Sequence, residues 1–125
     1  MSSKLVLTAS AAAFGIFGAG WLLVPRMLYG YWAIAGDTNH YMGRRYGAFM
    51  VGLMVISWLA RKASNTQARH AILVGSLVCW VITDALSVYG ALALGLNAWW
   101  PVAVESALVA GFAWVLLIRP EPAVR

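Results

Sequence analysis

Two carboxylates interrupt the apolar runs of this chain, and they are the residues best placed by type to do chemistry. Asp84 lies near the middle of one run, and Glu105 about one turn into the next. An aspartate near mid-membrane costs about 2.5–3.5 kcal/mol on insertion scales, so a chain that keeps one there has a use for it. In low dielectric a carboxylate can act as acid, base or proton carrier. Around a helix, Ser76, Trp80, Thr83, Asp84 and Ser87 fall on one stripe. The expectation is an internal pocket centred on Asp84, with Glu105 as its acid–base partner. Ser76, Thr83 and Ser87 would supply hydrogen bonds, and Trp80 and Tyr89 an aromatic wall. The plainer alternative is that the same groups only fix how helices pack.

Two basic residues extend this constellation. Arg45 opens an apolar run at the same depth as Glu105, and its long stem can reach across by snorkelling, so the two are expected to approach each other. His40 precedes it and is placed near Arg44 and Glu105. His70 falls at the opposite end of the layout, so the two histidines share no metal. Cys79 is the one cysteine, it sits within an apolar run, and no Cys/His spacing suits zinc. There is no Ser/His/Asp arrangement and no Gly-rich phosphate loop. Neither a metal nor a cofactor is expected.

What must position these groups follows from composition. The chain has 125 residues, 62% hydrophobic and only 10% charged, with a mean hydropathy of +0.77. A water-soluble domain of this size has too little interior for that much apolar surface. Low charge likewise excludes a disordered tail or a coiled coil. The pattern predicts an all-α integral membrane protein, a single four-helix bundle. The spans fall at about 5–24, 45–60, 71–94 and 100–118. Pro25-Arg26 closes the first, Arg61-Lys62 the second and Arg119-Pro120 the last. The first is expected to be retained rather than cleaved, since too few apolar residues precede Ala9-Ser10-Ala11 for a signal peptide. Between the first two spans a short interfacial element is expected, rich in Tyr29, Tyr31, Trp32 and Tyr41, with a turn at Asp37-Thr38-Asn39.

The net charge of +5 sits at the ends of apolar runs. Headgroups and the positive-inside bias account for it, and no basic stripe interleaves with aromatics as nucleic-acid binding needs. Lys4, Arg61, Lys62, Arg69, Arg119 and Arg125 lie on one side of the layout, against Arg26, Arg44 and Arg45 on the other. That balance places both termini in the cytoplasm of a bacterial inner membrane. Trp21, Trp99 and Trp100 then join the outer aromatic belt, with Trp58 and Trp114 nearer the inner one.

The stretch RRYGAFMVGL in the second span and ESALVAGFAWVLL in the fourth resemble the small four-span bacterial membrane proteins grouped as DoxX-like. The resemblance implies a four-helix bundle, often an accessory subunit, with Arg45, Tyr46, Gly47 and Glu105 as the family-like positions. Asp84 departs from that pattern. Three functions are weighed. The first is an accessory or ligand-binding subunit, homo-oligomeric or part of a larger membrane complex, with a polar pocket for a lipophilic molecule in its outer half. The second is a cofactor-free isomerase or hydratase acting on a terpenoid- or sterol-like substrate. The third is a proton-coupled exporter, ranked last because the first span carries no charge.

Overall fold

A computed structural model describes residues 2–32, 40–63 and 67–118 of the chain. All regular structure among them is helical: α1 (Ser3–Leu23), α2 (Pro25–Tyr31), α3 (Tyr41–Ala60), α4 (Gln67–Ala93) and α5 (Trp99–Ala113), the last continuing as a π-helical turn over Trp114–Ile118. Ser2 caps α1 by accepting a hydrogen bond from the Leu5 amide at 3.3 Å. Pro25 cannot prolong that helix but suits the first turn of the next, and α2 begins on it. Gly95, at φ +66°, makes the left-handed turn between α4 and α5 that a side chain would resist.

Small residues set how closely the helices meet. A Cβ placed on Gly47 of α3 would lie 2.8 Å from the Gly18 carbonyl oxygen of α1, so the two backbones touch. Gly15 faces Met54 across the same seam, which makes α1 and α3 antiparallel. Against its other side α1 holds α4 in parallel. Arg69 donates to Ser3 Oγ at 2.6 Å near one end, and the Trp80 indole donates to Ser10 Oγ at 3.0 Å further along. The Trp80 ring stacks on Phe14, centroids 4.3 Å apart. Helices α4 and α5 form a tight hairpin, in which the Leu96 amide bonds the Gly90 carbonyl at 3.0 Å. The core of this arrangement is Leu7, Phe14, Trp80 and Phe112, all but sealed from the surroundings.

Among the described residues three helices, not the expected four, are long and apolar enough to cross a membrane: α1, α4 and the continuous helix from Trp99 to Ile118. The exception is α3. Arg44 and Arg45 lie within its second turn, so its apolar part begins only at Tyr46. About 15 residues remain, roughly 22 Å of helix against a hydrocarbon core of about 30 Å. A second correction concerns α4, which starts before residue 71 and takes Arg69 into the helix, where it is buried. The connection after the first span does hold a short helix, α2; the turn expected at Asp37-Thr38-Asn39 and the stop at Arg119-Pro120 lie outside the described residues. Trp21 is no belt residue. It is 4% exposed and belongs to the core, with Tyr29 edge-on at 5.2 Å and Trp32 tilted at 4.9 Å.

Candidate functional site

Where the C-terminal turns of α1 approach the α4–α5 hairpin, the helices leave a cavity of about 270 Å³. Phe17 and Trp21 of α1, Tyr46 and Met50 of α3, and Leu86 and Gly90 of α4 form most of its wall. Its polar groups are few: Thr83 and Ser87 from α4, Glu105 from α5, the Tyr46 hydroxyl and the indole N–H groups of Trp21 and Trp32. Glu105 is 4% exposed. Ser87 borders its carboxylate, and Oε2 is enclosed with no hydrogen-bond partner. Thr83 is otherwise engaged, donating to the Cys79 carbonyl at 2.8 Å. Apolar walls with a small number of placed polar groups are the usual make-up of a small-molecule site.

The expected stripe on α4 does not stay together. Trp80 turns inward onto Ser10 and Phe14 and is fully buried, so it pegs α4 to α1 instead of lining the cavity. Thr83 and Asp84 are successive residues, about 100° apart around a helix. That angle sends Thr83 to the cavity side and Asp84 toward α5, where its carboxylate accepts from Ser106 Oγ at 3.0 and 3.1 Å. Asp84 is half-buried and does not line the cavity that Glu105 does. An acid–base pair facing one enclosed volume is therefore not what the geometry offers. Tyr89 follows Trp80 by nine residues, about half a revolution, and is 57% exposed on the far face. Ser76, half-buried, is a further turn away from the cavity and does not line it.

A family model matches residues 2–118, nearly the whole chain, and its description is a domain of unknown function, DUF8292. The chain belongs to the DUF8292 family. No curated protein and no solved structure matches it.

In this DUF8292 chain neither basic candidate lines the cavity that Glu105 does. Arg45 is exposed and does not line that cavity; the α3 residues that do are its neighbour Tyr46 and Met50. His40 is the N-cap of α3 in a left-handed conformation, φ 53°, with its ring 5.2 Å from that of Tyr29. It borders an open basin with Arg26 and Arg44 rather than the enclosed cavity. Among the described residues no group of three His, Cys, Asp or Glu gathers to hold a metal. Cys79 is a free, half-buried thiol.

Sequence reasoning missed Trp21, Phe17 and Met50 as lining residues. Trp21 was hidden because a tryptophan at the end of an apolar run reads as a boundary residue. The signal that could have exposed it is the Gly18–Gly47 approach, which draws α3 close enough to cover its ring. Tyr46 stood in plain view within the RRYG stretch, overshadowed by the arginines beside it.

Proposed function

We propose that this protein is a membrane-embedded binding protein, an accessory or ligand-binding subunit whose interhelical cavity takes a small lipophilic molecule. One observation carries this reading: the buried Glu105 carboxylate, with an oxygen left unpartnered, lining a cavity whose walls are mostly apolar and aromatic. An unsatisfied buried polar group costs about 1–3 kcal/mol, more when charged. A helix that only had to pack would carry alanine or leucine there.

The bilayer setting supports it. Leu86, Leu92, Leu117 and Ile118 are more than half exposed, which suits lipid and not water. In this reading α1, α4 and the 99–118 helix cross the inner membrane of a bacterium. Helix α3 packs along α1 with Arg44 and Arg45 among headgroups, and both termini face the cytoplasm. A four-helix outline of this kind is the one the DoxX-like resemblance implies. The thin bundle associates with a second copy or a larger membrane complex.

The test is saturable binding of an uncharged two-ring compound by the protein in nanodiscs, with empty nanodiscs as background. Leu86 stands at the cavity mouth and is 64% exposed, so Leu86→Trp should plug the cavity without disturbing the core. Binding abolished by Leu86→Trp supports the reading. Uptake no greater than that of empty nanodiscs, or unaffected by the plug, refutes it.

A further inference from the structure

Two residues of the cavity wall each carry a buried polar atom without a partner, and the two atoms are of opposite kinds. Trp21 Nε1 and Glu105 Oε2 both lack a hydrogen bond, and each residue is 4% exposed. Both residues line the same cavity. An indole N–H can only donate, while a carboxylate oxygen accepts. The wall's hydroxyls, on Tyr46, Thr83 and Ser87, bond neither atom. Thr83 is spent on the Cys79 carbonyl. Ser87 borders the Glu105 carboxylate, and Oε2 is still open.

An occupant that reached and satisfied both would bring an acceptor for the indole and a donor for the carboxylate. A hydrocarbon brings neither. A quaternary ammonium brings charge for Glu105 but no acceptor for Trp21. A carboxylic acid, once ionised, repels Glu105. A hydroxyl accepts and donates through one oxygen. Phe17, Trp32 and Tyr46 line the same cavity, and aromatic rings favour flat, ring-shaped apolar partners. Resting on the binding reading above, we propose that the cavity selects uncharged lipophilic alcohols, ring-bearing molecules with a single hydroxyl directed at Trp21 and Glu105.

The experiment compares three probes of one shape by calorimetry on the full chain in nanodiscs, with empty nanodiscs subtracted. The probes are 2-naphthol, naphthalene and 2-methoxynaphthalene, which keeps the acceptor and loses the donor. Saturable 2-naphthol binding is expected, with naphthalene and the ether each at least tenfold weaker. Glu105→Leu should bring 2-naphthol to within about threefold of naphthalene, and Trp21→Phe should do the same. Glu105→Gln keeps an acceptor oxygen and should retain most of the preference. Helical circular dichroism and thermal unfolding accompany each variant, and if Trp21→Phe does not fold, the two Glu105 variants decide. Equal binding of all three probes by the unsubstituted protein overturns the alcohol proposal while leaving the cavity reading intact. Tighter, Glu105-dependent binding of trimethylphenylammonium overturns it in favour of a cation. Binding of none of these compounds removes both readings together.

Discussion

The indole of Trp80 donates to Ser10 Oγ at 3.0 Å while its ring lies flat on Phe14, so one side chain fastens α4 to α1 by polar and apolar contact at once. Ser10→Ala leaves that N–H enclosed without a partner. A loss of about 1 kcal/mol is expected, within the range of about 0.6–1.7 kcal/mol for interhelical hydrogen bonds in lipid. Trp80→Ala removes the whole peg and should cost about 3–5 kcal/mol. Thermal or denaturant unfolding in detergent reads both, and equal effects of the two changes would contradict the peg.

The α1–α3 seam predicts a sharp contrast between two glycines on one helix. A methyl on Gly47 would collide with the Gly18 carbonyl oxygen at 2.8 Å and with Trp21 Cβ at 2.9 Å. Gly47→Ala should therefore destabilise the protein by about 1–3 kcal/mol. Gly52 has open space beside it, and Gly52→Ala should be neutral or gain about 0.5–1 kcal/mol of helix stability. The sign of the difference in unfolding midpoint checks this.

Asp84 is expected to be dispensable for ligand binding. Its carboxylate serves Ser106, and an amide oxygen accepts the same hydroxyl. Asp84→Asn should fold and bind 2-naphthol within about twofold of the unsubstituted protein, and Asp84→Leu should bind equally well. A folded Asp84→Asn variant without binding would return this acid to the centre of the site.

Helix direction gives a topological prediction. With Cys79→Ala as background, single cysteines at Ser2, Ala63 and Asn97 can be labelled by an impermeant maleimide. The alternation of α1, α3, α4 and α5 puts Ser2 and Ala63 on one side and Asn97 on the other. Labelling of Ala63 from the side of Asn97 would mean that α3 does not run the depth of the bundle.

Much of this fold was legible because run length is a one-dimensional property. The predicted 5–24, 71–94 and 100–118 segments fall on helices α1, α4 and 99–118 to within a few residues. The second segment misled because Arg44 and Arg45 sit inside its helix, and hydropathy alone cannot say where along a helix lipid ends. The site was less legible, for an angular reason. Trp80, Thr83, Asp84 and Ser87 share a half-turn of surface, yet three different neighbours claim it: α1 takes Trp80, α5 takes Asp84, and the cavity takes Thr83 and Ser87. A stripe shows that helices are contacted, and only the packing says by which. Glu105 stood out in the sequence for its burial cost and its place in the ESALVAGFAWVLL stretch, while its cavity neighbours Trp21 and Tyr46 depend on how closely two glycines allow α3 to lie on α1.

The placement of the tryptophans gives the protein an optical reporter of its own site. Of seven tryptophans, Trp21 and Trp32 line the cavity, Trp80 is sealed at 0% exposure, and Trp58, Trp99, Trp100 and Trp114 stand on the outer surface. A brominated occupant would darken the emission of the first two by direct contact and leave Trp80 shining. Quenchers dissolved in the surrounding lipid or water reach chiefly the outer four. Occupancy of the cavity and the state of the bundle around it are thus written in separable parts of one fluorescence spectrum, with no label added.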